Sequence, residues 1–381
     1  MTARWVAAAS FLLLAARCNR PVQPGDPLSG LSAAERDRFA RGKVLFDSEF
    51  TEHTGLGPLF NSTACGECHE DPKAGGHGDE VEVHATAFTG GVCDPLVQEG
   101  GPVIQQHTTP ALKQALGIDQ EPFPPSATGR GMRTSPAIFG RGLLDLVPDS
   151  AILSYADPDD RNHDGVRGRP NRSVDGRIGR FGRKAFVPTL REFNAGAFSA
   201  EMGVTTPDQP TEETVGGQPI PSGVDSAADP ELTREGLDLA DDFVRFLAPP
   251  TPAKLGKEGR RGRELFSQIG CATCHIPTLR TGDSPVPALQ RREFAAYTDL
   301  LLHDLGPDLA DICLGRAAPG DFRTEPLLDL RDAKHFLHDG RATTLEQAIE
   351  AHGGEGAGAR NGFKVLPSAD RAAIVAFLKS L

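Results

Sequence analysis

The sequence predicts a mainly α-helical protein of two domains built on one plan, with long loops and few strands. The chain repeats itself: "RGKVLF" (Arg41 to Phe46) precedes Cys65-Gly-Glu-Cys68-His69, and "RGRELF" (Arg261 to Phe266) precedes Cys271-Ala-Thr-Cys274-His275. Each copy then closes with an apolar-periodic segment, "DDFVRFLAPP" from Asp241 and "AAIVAFLKSL" at the C-terminus. In the second, Ile374, Val375, Leu378 and Leu381 fall at helical spacing. A third observation, 43 glycines and 31 prolines among 381 residues, keeps the helices short and the turns many.

Taken in order, residues 1–17 read as a targeting segment. Arg4 supplies the positive start, and "WVAAASFLLLAA" is apolar but too short to span a bilayer. The expectation is export, with the periplasm as destination. Cys18 follows "LLLAAR", so lipid attachment at Cys18 and simple cleavage nearby both stay open. No other segment is long and apolar enough to cross a membrane. Residues 18–30 form a linker, residues 31–250 the first domain and residues 251–381 the second, with "APPTPAKLG" (Ala248 to Gly256) at the join.

The first domain is the larger because it carries an insertion. Part of that insertion, "TTPDQPTEETVGGQPIPSGVDSAADP", reads as an exposed loop. Between Gly203 and Thr233 there are six acidic residues and no basic one, half of the formal net charge of −12. Such a balance argues against nucleic acid as a partner.

Cys-x-x-Cys-His is a strong signal because each residue has a task at that spacing. Two thiols three positions apart lie on one side of a helical turn and can add to the two vinyl groups of a haem. The histidine that follows gives the iron its proximal nitrogen. A zinc knuckle or a redox dithiol is the competing reading. Two copies in one exported chain, each with its histidine and matching flanks, favour two covalent haems of c type. Cys65, Cys68, Cys271 and Cys274 are the attachment points, and His69 and His275 the proximal ligands. Helix, haem-attachment loop and closing helix, in that order, make each half a cytochrome c-like domain. Two further cysteines, Cys93 and Cys313, form a disulfide or remain separate thiols; spacing does not decide.

The segments "FNSTACGECHEDPKAGG", "YTDLLLHDLGPDLAD", "FRTEPLLDL" and "FLHDGRATTLEQAIEAHGGE" resemble the bacterial di-haem c-type oxidoreductases, a peroxidase and thiol-oxidoreductase family. That family is related to di-haem cytochrome c peroxidases and MauG-type enzymes. The resemblance is densest after Cys271. It implies that the sixth ligand of the C-terminal haem lies fourteen residues after the histidine of a His-x-Gly motif. Here that motif starts at His338, and the position falls on His352, where the relatives carry Met or Tyr. The expectation is a bis-histidine haem, His275 and His352, of lower potential than a Met/His one. His338 itself is expected near that haem. The rival reading leaves His352 as a helix-end residue complementing the dipole, after a capping box Thr343-x-x-Glu346.

By the same resemblance the N-terminal haem is the reactive one. His77, His84, His107 and Met132 are candidate sixth ligands, beside an open position. Asp145 and Asp149 are offered as proton-moving catalytic acids. The relatives place a Trp between the haems; here "IFGRG" stands in that place and the one Trp is Trp5. Electron transfer would then use Tyr155, Tyr297, a Phe or direct haem proximity. Asp160-x-Asn162-x-Asp164-Gly165 copies the start of a calcium loop, although its twelfth position is Asn171, and a plain Asx turn is the alternative. The expected activity is peroxidase-like, with hydrogen peroxide or another oxidant and a donor or acceptor protein as partners. The alternatives are a non-catalytic di-haem electron carrier and, more distantly, an oxygenase of hydrophobic polymers.

Overall fold

The structure is a computed structural model that describes residues 20–381. The targeting segment and Cys18 lie outside the described residues.

The repeated "RG-x-x-LF" motif marks a helix crossing in each half. Helix Ala33–Phe46 starts at a capping box, in which Ser32 Oγ accepts from the Glu35 N–H and Glu35 Oε2 accepts from the Ser32 N–H. It packs on helix Arg234–Phe246, and the contact is close because Gly42 has no side chain. A Cβ there would collide with the carbonyl of Leu239. Helix Lys257–Gln268 packs in the same way on helix Ser368–Leu378, with Gly262 against the carbonyl of Ala373. The motif's phenylalanines fill matching places. Phe46 lies 4.8 Å from Phe243 between ring centroids, and Phe266 lies 5.4 Å from Phe377. Ile374, Val375, Leu378 and Leu381 are buried, as the helical spacing requires.

The expectation of a mainly α chain is corrected. The described residues are 30% helical and 15% strand, with four small sheets. Most of the pairing lies in the first-half insertion, where strand Val81–Thr89 pairs with Val92–Asp94, Val103–Ile104 and Gly129–Thr134. "VEVHATAFT" has the β-branched content and two-residue alternation of a strand, and Gly90-Gly91 turns it back at positive φ of 61° and 82°. Frequent Gly and Pro therefore punctuate hairpins here, as well as short helices. The acidic segment after Gly203 lacks regular structure but is not merely exposed. Thr205 and Thr206 are buried, and Val215 packs against Leu59 and Leu112.

The two halves share their largest core: Phe139, Leu144, Phe181 and Phe243 pack with Leu279, Leu289, Leu300 and Leu301. A second cluster, including Phe266, Tyr297, Phe363 and Phe377, supports the second Cys-x-x-Cys-His loop.

Cys93 and Cys313 form a disulfide, with Cα atoms 5.7 Å apart across 220 residues of chain. It fastens the inserted sheet to the C-terminal half. Closing so long a loop limits the unfolded chain, and on the entropy model contributes about 5 kcal/mol. A Cys93→Ser, Cys313→Ser variant is expected to unfold at markedly lower urea concentration. An unchanged midpoint would refute that contribution.

Candidate functional site

Both Cys-x-x-Cys-His segments fold as single turns. Cys65–Cys68 is one helical turn in which the His69 N–H donates to the Cys65 carbonyl at 3.1 Å. Cys271–Thr273 is its 3₁₀ counterpart, with the His275 N–H on the Cys271 carbonyl at 3.0 Å. Such turns bring the first and fourth residues to one side, so each thiol pair faces one way. All four thiols are free. His69 Nδ1 donates to the Gly76 carbonyl at 3.2 Å, and His275 Nδ1 to the Tyr297 carbonyl at 2.9 Å. Each bond holds its ring and leaves Nε2 as the lone-pair nitrogen. Burial pushes both imidazoles below their ordinary range, His275 to about 4, so both are neutral near pH 7 and able to bind a metal. Phe46 lies 6.3 Å from His69 and Phe266 lies 6.2 Å from His275, so the repeat extends to the proximal side chains.

A cavity of about 760 Å³ opens beside the second motif, lined by Cys271, Cys274, His275 and His352. His352 is the C-cap of helix Leu345–Ala351. That helix starts one residue later than the capping box suggests: Thr344, not Thr343, accepts from the Gln347 N–H. His352 Nδ1 donates to the Ala348 carbonyl at 2.7 Å, which again leaves Nε2 free. Desolvation pushes this imidazole down too, so it offers the helix end no charge and fits poorly as a dipole partner. Ser135 Oγ, Arg323 Nε and Thr324 Oγ1 line the same cavity and are buried without hydrogen-bond partners. Orphaned polar atoms of this kind suit the carboxylates of a haem, and the donor set suits its iron. The residues fit the group.

His338 also lines this cavity. It stacks on Phe322 at 4.4 Å, and its Nε2 lies 3.4 Å from Asp311, which Lys184 and Arg133 also engage. Nearby is a residue of the "YTDLLLHDLGPDLAD" segment to which the sequence reading gave no role. His303 is clamped between Asp299 (Nε2 to Oδ2, 2.9 Å) and Glu355 (Nδ1 to Oε2, 2.8 Å), with Cys274 Sγ at 3.8 Å from Nδ1. Burial opposes its charge, but the hydrogen bonds to Asp299, Cys274 and Glu355 outweigh it and push His303 up to about 12. Burial likewise opposes the Glu355 charge, and His303 overcomes it to bring that carboxyl down to about 2.

At the first motif the ionisable neighbours include several carboxylates. Glu82 and His84 are two apart on strand Val81–Thr89 and so share a face, with His84 Nε2 donating to Glu82 at 3.2 Å. Burial would raise the Glu82 carboxyl, but His84 and His69 hold it below its usual value. Glu201, on helix Leu190–Met202, accepts from Asn61 at 2.8 Å, and burial followed by the Glu82 charge pushes it well above the usual range. Burial, then the charges of Glu201, Glu80 and Glu82 near the first Cys-x-x-Cys-His turn, push the Cys68 thiol up to about 12. One carboxylate held ionised next to one held protonated is an acid–base arrangement.

A family model described as "Di-haem oxidoreductase, putative peroxidase" matches residues 127–381. The chain belongs to this family. Haem is therefore its cofactor, and an oxidant belongs among its reactants. A comparison with curated proteins gives no match. Among solved structures, Kuenenia stuttgartiensis hydrazine synthase is 14% identical over 100% of both chains, with a TM-score of 0.42. A MauG-like protein associated with microbial copper homeostasis is 16% identical over 95% of this chain and 92% of its own, at 0.40. The diheme peroxidase BthA of Burkholderia thailandensis is 16% identical over 95% and 89%, also at 0.40. Overlaps at such scores carry no weight for the chemistry of this chain.

The di-haem oxidoreductase engages its other candidate residues in different ways. Asp145 accepts from the Leu190 N–H at 2.8 Å and pairs with Arg245 at 2.7 Å, tying the start of one helix to another. Asp149 pairs with Arg180. Neither aspartate lines the cavity, and both are committed to arginine. His77 uses both ring nitrogens, accepting from the Ala137 N–H and donating to the Asp329 carbonyl, so it has no lone pair for iron. His107 is exposed against Phe60, and Met132 is exposed opposite Val83, on the other face of the sheet from His84. Of those four, His84 alone stands with Glu82. Tyr155 is exposed, whereas Tyr297 is buried against Phe266 and Phe377. The Asp160 loop is an exposed Asx turn: Asp160 Oδ1 accepts from the Gly165 N–H and Asp164 Oδ1 from the Val166 N–H. Among the described residues, no helix is long and apolar enough to cross a membrane.

Proposed function

We propose that the chain is an exported, periplasmic di-haem peroxidase-like oxidoreductase with both haems covalently attached. Cys65, Cys68 and His69 hold the first, and Cys271, Cys274, His275 and His352 the second. One observation carries the division of labour. His275 and His352 enter one cavity with Nε2 free on each, whereas His69 is accompanied by the half-buried acids Glu82 and Glu201. Haem iron supplies one-electron chemistry and, where a position is open, a binding site for peroxide.

Glu82, kept ionised by the hydrogen bond from His84, takes up a proton at the first site, and Glu201, kept protonated by desolvation and the Glu82 charge, returns one. His275 and His352, both neutral, fix the second haem as an electron store fed by a donor protein. Ser135, Arg323 and Thr324 hold its carboxylates. The Cys93–Cys313 disulfide supports an oxidising compartment, and Cys18 is the candidate for lipid attachment.

Paramagnetic resonance of the resting ferric protein tests this reading. One high-spin and one low-spin signal are expected, with hydrogen peroxide changing the high-spin one. Glu82→Gln is expected to slow that change by about 100-fold or more, the usual scale of general acid–base catalysis, and to leave both resting signals in place. Two low-spin signals unmoved by peroxide would make the chain an electron carrier instead. Mass spectrometry of the exported polypeptide checks attachment, two haem increments being expected.

A further inference from the structure

The fold draws four of the six acids between Gly203 and Thr233 into one knot. One oxygen each from Glu212, Asp225, Asp229 and Glu231 lies within 4.8 Å of every other. The arginines closest in sequence are turned elsewhere, Arg191 to Asp208 and Asp238 and Arg234 to Asp208. Both oxygens of Glu212 and Oε1 of Glu231 are shut away from solvent and have no hydrogen-bond partner. Thr205, itself buried, braces two of the acids: its N–H donates to Glu231 Oε2 at 2.6 Å, and its hydroxyl lies 2.9 Å from Asp229 Oδ1. Buried carboxylate oxygens facing one another without a donor are costly unless a cation or a proton joins them.

We propose that Glu212, Asp225, Asp229 and Glu231 bind one calcium ion. The donors are all hard oxygens, which disfavours zinc. All four oxygens lie close enough together to meet one ion, and four carboxylates suit calcium, which takes roughly six to eight oxygens in flexible geometry, better than magnesium, which uses one or two carboxylates and keeps several waters. Asp229 is exposed, so an ion has a route in and water can complete its shell. The ion would draw Glu212, inside the segment that links helix Leu190–Met202 to helix Arg234–Phe246, against Asp225, Asp229 and Glu231 near that segment's end. Glu231 also packs against Gly55, whose positive φ of 99° and missing side chain leave room for it. Calcium therefore anchors the chain immediately after Glu201 to the loop leading into the first haem-attachment turn.

Calorimetric titration of calcium chloride into the chelator-treated, full-length holoprotein tests this. One ion per chain is expected, with a dissociation constant below about 100 μM. Saturating calcium is expected to raise the thermal midpoint by roughly 5 °C. A Glu212→Gln, Glu231→Gln variant should bind at least about 100-fold more weakly and lose that rise, since ligand charge sets affinity. In chelator it should melt no lower than the parent, because two buried repelling charges are gone, and the haem spectrum reports that it has folded. If it does not fold, Asp225→Asn replaces it, with the same weakened binding expected. Asp160→Asn with Asp164→Asn, at the exposed turn, should leave binding unchanged. No saturable binding below about 1 mM, unchanged affinity in the glutamate variant, or loss of binding in the turn variant would each overturn the assignment.

Discussion

Replacing His303 with alanine is expected to destabilise the protein by about 3–5 kcal/mol, the scale for breaking a buried ion pair from one side. His303 is 4% exposed, and the Asp299 and Glu355 side chains it touches are 2% and 7% exposed. Glu355 keeps other donors, the N–H groups of Arg167 and Asp304 and the guanidinium of Arg169, whereas Asp299 loses its charged partner. The pH dependence of stability separates this from a simple cavity effect. His303 is raised from 6.5 to about 12 in the folded protein, so its stabilisation is complete below the unfolded value and is lost as pH rises toward the folded one. Glu355 is lowered from 4.5 to about 2, so its share is complete above the unfolded value and is lost as pH falls toward the folded one. The pair is therefore most stabilising between about pH 4.5 and 6.5. Above that window stability should fall by at most about 1.4 kcal/mol per pH unit, one proton's worth. Urea midpoints at pH 5.5 and pH 9 should differ clearly in the parent and much less in His303→Ala. Equal slopes would show that the imidazolium is not the group responsible.

His303 also shows where sequence reading stops. Asp299 and His303 are four apart, a spacing that reads as one helix face. Here Leu300 has a positive φ of 63° and Leu302–Asp304 is a strand, so no helix forms. The third member, Glu355, lies 52 residues further on. Glu82 and Glu201 were hidden for a similar reason. One sits on a strand and the other on a helix, and their meeting depends on how the insertion folds back on the first Cys-x-x-Cys-His turn. The strand itself was visible in the alternation of "VEVHATAFT" and in Gly90-Gly91, but the cytochrome-like plan weighted the reading toward helix. What the sequence carried well was local or repeated: the Cys-x-x-Cys-His turns, the RG-x-x-LF motif and the amphipathic closing helices. Asp145 and Asp149 do not line the cavity beside the second motif, and arginines distant in sequence, Arg245 and Arg180, pair with them. Charge partners of that kind leave no periodic trace.

The largest spectroscopic effect is expected at His352. With His275 and His352 each presenting a free Nε2 to one cavity, two strong-field nitrogens favour a low-spin ferric signal from the C-terminal site. His352→Ala removes one of them and should convert that signal to high spin while the first site keeps its own spectrum. The substitution should disturb the fold little, because the helix cap is made by the backbone, the residue-352 N–H on the Ile349 carbonyl at 3.2 Å. The side chain's bond to Ala348 is worth about 1 kcal/mol. His352→Met supplies the complementary case. It retains two axial ligands and should stay low-spin, but thioether sulfur stabilises the reduced state. The potential should then rise by on the order of 100 mV or more, within the roughly 0.8 V span that axial ligands command. If the second haem relays electrons at low potential as proposed, transfer to the first site should then slow, with Glu82 and Glu201 left in place. If alanine left the resonance unchanged, or methionine left the potential unchanged, the second axial nitrogen would have to come from elsewhere. His352 would then be no more than a residue at the end of its helix.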